Sequence, residues 1–119
     1  MKRETRFLCA LTLLTSVGVA MATNMGFLRN SPMSRFNSRD HELLQAAFLK
    51  AMNDEPEGST VTWANDRTGA GGTVTPIESF ERAGARCRKA TFTTKVQSLT
   101  GGGEYSFCKT AKGNWQLVQ

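Results

Sequence analysis

Three cysteines, one histidine and ten carboxylates are the residues of this 119-residue chain whose types could carry chemistry. Nucleophilic catalysis needs a base held against the nucleophile. The one histidine, His41, stands beside Asp40 and Glu42 in what reads as the first turn of a helix, the setting of an exposed helix residue. Paired carboxylates for hydrolysis would have to come from Asp54, Glu55, Glu57, Asp66 or Glu104. These fall mainly in connecting segments with nothing to raise a pKa. Asp54-Glu55-Pro56-Glu57 lacks the regular ligand spacing of a calcium loop. Two isolated cysteines and a histidine cannot fill a tetrahedral zinc shell without carboxylate help. Gly69-Ala70-Gly71-Gly72 and Gly101-Gly102-Gly103 are followed by strands, not by the Lys-Ser/Thr and helix of a phosphate loop. The expectation is a protein that is not an enzyme and takes no metal or cofactor.

What remains is the pair Cys87 and Cys108, at the outer ends of two strand-like runs. Opposed residues of an antiparallel pair have a constant index sum. Setting Cys87 against Cys108 puts Lys89 opposite Ser106 and Thr91 opposite Glu104 on one face. The other face then holds Arg88 against Phe107, Ala90 against Tyr105 and Phe92 against Gly103. A register chosen for the cysteines alone therefore also separates apolar from polar side chains, which supports a disulfide. The loop between the strands is expected from about Lys95 to Thr100, longer than a tight turn. The competing reading is two buried, reduced thiols in the cytosol.

The N-terminus decides the compartment. Lys2, Arg3 and Arg6 precede the apolar run Phe7–Val19, and Ala20-Met21-Ala22 supplies a small-x-small cleavage pattern. Residues 1–22 are thus expected to be a secretory signal cut between Ala22 and Thr23, with an uncleaved anchor as the alternative. The run is short for a membrane span. Cys9 lies at the start of the run, not after it as a lipid-attachment cysteine would, so it leaves with the signal. Two cysteines then remain, an even number suited to an oxidising compartment. Removing three Lys/Arg and one Glu lowers the net charge from +5 to +3. That mild excess is compatible with peripheral association at an anionic membrane, but no basic stripe suggests nucleic acid. Arg86, Arg88 and Lys89 read as ordinary strand-edge charges.

The elements that must hold the cysteine pair follow from periodicity. Residues 23–37 form an extended arm with aperiodic apolar residues, docking Phe27, Leu28 and Phe36 on the core or receiving a partner. Residues 38–119 form the domain. Ser38 or Asp40 caps a helix to about Asn53, whose stripe is Leu44, Ala47, Phe48, Ala51 and Met52. Pro56 and Gly58 end it. From Thr60 the period becomes two: Thr60–Ala64, a long turn at Asn65–Gly72, Thr73–Glu81 with Pro76 marking an edge or bulge, the cysteine hairpin, and Asn114–Val118. The expected fold is α+β, one N-terminal helix on a four- to five-stranded antiparallel meander with one disulfide. Its core is Leu44, Phe48, Met52, Trp63, Ile77, Phe92, Phe107 and Trp115.

In order, the helix, Trp63-Ala64-Asn65, Thr68-Gly69, Gly72-Thr73-Val74-Thr75-Pro76, Cys87-Arg88, Tyr105-Ser106-Phe107-Cys108-Lys109 and Gly113-Asn114-Trp115 resemble the C-terminal domain of the bacterial 17 kDa surface antigen family. Phe27-Leu28-Arg29-Asn30-Ser31-Pro32 resembles its short stand-alone members. The resemblance implies an exported envelope protein, periplasmic or at the outer membrane and cell surface, and carries over no activity residue by residue. Longer members have a lipid-attachment cysteine and a glycine-zipper segment, and this sequence has neither pattern. The expected function is a non-catalytic structural or binding module for an envelope protein or wall component, through the arm or an open sheet edge. The alternative is an inhibitor of a secreted or periplasmic enzyme, probing with Asn65, Asp66 and Arg67 of the first turn.

Overall fold

A computed structural model describes residues 31–118. The expected signal segment, its cleavage point at Ala22 and Thr23, and Phe27 and Leu28 of the arm lie outside the described residues. The chain enters through a short 3-10 turn, Pro32–Arg35, where an extended course was expected. Pro32 is buried there, its fixed φ suiting the start of a helical turn. Phe36 follows into the core as expected, its ring 5.2 Å from that of Trp63 and edge-on to it.

Helix α1 spans Ser38–Asp54. Its N-cap is Asn37, not the expected Ser38 or Asp40. The Asn37 side chain accepts from the Asp40 N–H at 2.8 Å, and the Asp40 carboxylate accepts from the Asn37 N–H at 2.9 Å. This reciprocal capping box satisfies two of the N–H groups that every helix start leaves without partners. Ala47, Ala51 and Met52 of the expected stripe are buried, and Leu44 and Phe48 pack against them half-buried.

Five strands follow: β1 (Val61–Asn65), β2 (Ala70–Arg82), β3 (Ala85–Val96), β4 (Leu99–Lys109) and β5 (Trp115–Val118). They pair in sequence order as an antiparallel meander. The β3–β4 register is the one read from the cysteines: Cys87 faces Cys108, Ala90 faces Tyr105 and Phe92 faces Gly103. Pairing runs on to Val96 and Leu99, so the expected six-residue loop shrinks to Gln97-Ser98, with Gln97 at φ 52°. The β2–β3 turn is also two residues, Ala83 and Gly84, at φ 50° and 78°. Positive φ at both positions matches the right-handed strand twist.

Pro76 marks a bulge, as expected. The β2–β3 register slips between Pro76 and Glu78, leaving Ile77 as the extra residue that bends the strand. Before the slip Val74 points to the helix side and is fully buried. Beyond it the faces exchange, and Phe80 lies opposite Cys87 on the outer face. The expected core position Ile77 is corrected by this slip: the residue is 38% exposed. α1 packs on β1 and β2. Ala51 and Met52 of the helix meet Phe36, Trp63, Val74 and Ala90 in the core, with Phe92, Phe107 and Trp115 half-buried around them. No helix among the described residues is long and apolar enough to cross a membrane.

Candidate binding surface

At the first turn, the chain from β1 to β2 is four residues long, half the expected Asn65–Gly72 loop, because pairing begins at once with Asn65 opposite Ala70. Asn65 is buried rather than offered to solvent. Its Nδ2 donates to Asp40 Oδ1 at 2.7 Å, and the Thr68 hydroxyl donates to the same oxygen at 2.8 Å. The Asn65 carbonyl accepts from Gly69 N–H at 2.9 Å, and Gly69 takes φ 73°. Asp66 and Arg67 are exposed. Of the three candidate loop residues, one is therefore a structural anchor and two face solvent. Burial would raise the Asp40 pKa. The N–H of Asn37, the Thr68 hydroxyl, the Asn65 amide and the nearby His41 charge outweigh it, and the carboxyl is held below its ordinary value.

At the other end of α1 a second buried polar group was missed. Arg88, expected at a strand edge, is 4% exposed and crosses beneath the helix C-terminus. Its Nη1 donates to the carbonyls of Ala51, Met52 and Glu55 at 2.9–3.1 Å. The last carbonyls of a helix lack intrahelical partners, and the helix dipole favours a cation there. The sequence held one signal: no glycine or lysine closes the last turn of the helix, so something else must. Arg86, expected on Arg88's face, is exposed. It lines a shallow groove with Ala83, Gly84, Ala85, Lys109, Thr110 and Ala111. Trp115 donates its indole N–H to Asn53 Oδ1 at 3.0 Å, fastening β5 to the helix, while the Lys109 ammonium stands 5.2 Å from its ring centre.

The disulfide joins Cys87 and Cys108 across the outer face, with a Cα separation of 4.0 Å. Phe80 and Gln116 flank it in the same row. The rest of that face is a polar lawn: Thr62, Thr73 and Thr93 form one row, with Thr73 and Thr93 sharing a 2.6 Å hydrogen bond. Lys89 and Glu78 pair at 3.9 Å beside it. Among the described residues no group of three His, Cys, Asp or Glu side chains could hold a metal ion.

The feature most suited to recognition is the edge of β2. β1 pairs only with Ala70–Val74. From Ile77 to Glu81 no described strand lies beside β2 on the side away from β3, and Ile77, Glu78, Ser79 and Glu81 are exposed. Backbone groups on such an edge are a template for another chain. Ile77 supplies an apolar side chain at its start.

The family model for the 17 kDa outer membrane surface antigen matches residues 50–116. Two proteins called 17 kDa surface antigen are similar to this chain. One, from Rickettsia bellii (strain RML369-C), is 31% identical over 83 residues, which is 69% of this chain and 52% of the relative. The other, from Rickettsia felis (strain ATCC VR-1525 / URRWXCal2), is 28% identical over the same shares. The chain thus spans about half the length of these curated relatives. No solved structure matches.

Proposed function

The chain belongs to the 17 kDa surface antigen family, and from that premise we propose an exported, non-catalytic envelope domain that binds an envelope protein or wall component. The exposed β2 edge from Ile77 to Glu81 is the observation that carries the binding role. A peptide laid along it gains main-chain hydrogen bonds, and the exposed Ile77 adds an apolar anchor. Export is supported by the relatives' name, by the disulfide and by the leader-like N-terminus. The mature chain stands in the periplasm or at the outer membrane and cell surface.

The test is a photo-crosslinking residue placed at Ile77 in the chain expressed in intact cells, with the same residue at exposed Thr62 on the threonine face as control. A discrete heavier adduct is expected at Ile77 and not at Thr62. An adduct at neither position, or equal adducts at both, overturns the β2-edge reading.

A further inference from the structure

We infer that the groove between the β2–β3 turn and the turn after β4 binds a doubly charged phosphate group, gripped by Arg86 and Lys109. The groove holds about 350 Å³, the size of a small-ligand site. Its walls are two turns, 83–86 on one side and 109–111 on the other. The register that sets Cys87 against Cys108 sets Arg86 against Lys109 one residue further on. Alternation turns both to the same face of the sheet. Two cations directly opposed across a strand pair repel and destabilise it. The disulfide between the neighbouring residues keeps them from parting.

Elsewhere on the sheet a cation is answered by an acid, as Lys89 is by Glu78 at 3.9 Å. In the groove none answers. Glu81 lies across β2–β3 from Arg86, and Asp54 follows the Asn53 that holds Trp115. Yet among the described residues neither Arg86 nor Lys109 forms an ion pair. The Lys109 ammonium is held 5.2 Å from the centre of the Trp115 ring, so its position is set before a ligand arrives. The Thr110 hydroxyl accepts from the Asn114 N–H at 3.3 Å, which leaves its own hydrogen to donate. Arg86 is exposed, and its guanidinium offers paired N–H groups that match two oxygens of a phosphate. A phosphate monoester carries nearly two negative charges at neutral pH and answers both cations, where a carboxylate answers one. The open groove admits a lipid headgroup as well as a soluble phosphate.

The test is amide NMR on the chain as exported from cells, titrated at about pH 8 with inorganic phosphate and separately with acetate. Phosphate is expected to shift the signals of Arg86, Thr110, Ala111 and the Trp115 indole, with acetate several-fold weaker. Arg86→Gln/Lys109→Gln should weaken phosphate binding by at least about tenfold. Arg67→Gln/Lys95→Gln, which removes the same charge at the other end of the sheet, should weaken it by less than about twofold. Unshifted β1 amides establish that each variant is folded. Co-sedimentation with vesicles of equimolar phosphatidylcholine and phosphatidic acid, and not with phosphatidylcholine alone, makes a lipid headgroup the source; phosphate binding without it makes the source soluble. The inference is overturned by no shift with phosphate and no sedimentation with phosphatidic acid, by equal affinity for acetate, or by equal losses in the two double variants. These readouts need no envelope protein, so their failure is distinct from failure of the β2-edge crosslink.

Discussion

Two buried charges, Asp40 and Arg88, fix the helix to the sheet from its two ends, and each makes a bond set that a neutral side chain cannot. Asp40 gathers the Asn37 N–H, the Asn65 amide and the Thr68 hydroxyl. Asp40→Asn keeps the size but turns one acceptor into a donor facing donors, and is expected to cost roughly 2–3 kcal/mol in denaturant unfolding. The pH dependence follows from the lowered pKa. A carboxyl lower in the folded than in the unfolded chain contributes stability above its unfolded value of about 4, and that contribution is lost as pH falls through the folded value. The wild type should therefore lose stability below about pH 4 along a limb that Asp40→Asn flattens. Arg88→Leu is expected to cost about 2–3 kcal/mol, since it strands helix-end carbonyls under the sheet; a melting temperature within a degree of wild type would contradict the capping role. Neither residue was legible as buried. Asp40 reads equally well as a solvated first-turn acid, and Arg88 differs from Arg86 only in what stands above it in space.

At the scale of elements, periodicity and register carried most of the reading. The helix stripe, the five strands, the meander order and the β3–β4 register all follow from side-chain alternation, which burial enforces. Loop lengths did not. Lys95–Thr100 reads as a loop ahead of Gly101-Gly102-Gly103, yet Val96 pairs with Leu99 and Gly102 with Thr93 inside the ladder. Likewise Gly72 is a strand residue: a Cβ on it would collide with the Thr93 carbonyl and press on the Trp63 indole. Glycine is demanded there by close packing between strands and not by a turn. The motif Trp63-Ala64-Asn65, Thr68-Gly69 acquires its reason in the same way, as the clip that ties the first turn to Asp40. Ile77 was misplaced because a bulge shifts alternation by one residue, and a sequence shows where a bulge is but not which way the strand leaves it. Ala83, like Gln97, takes a positive φ that favours glycine or asparagine, 50° in a two-residue turn. Ala83→Asn is expected to stabilise the fold by about 0.5–1 kcal/mol, read from the denaturant midpoint.

At the scale of the molecule, the described residues place one α-helix on one face of a small sheet, which leaves a modest core, and the Cys87–Cys108 bond clamps β3 to β4. Closing that 21-residue separation is expected to contribute about 3 kcal/mol. A Cys87→Ala/Cys108→Ala chain should accordingly melt well below the oxidised wild type, to about the same temperature as the wild type in reductant. The central claim is an exported domain held by this bond, and alkylation of free thiols in intact cells, read by mass spectrometry of the recovered chain, tests it most directly. Cys87 and Cys108 should take no label until a reductant is added. Labelling of both without reductant would mean that the bond does not form where the protein works, and the account would be wrong.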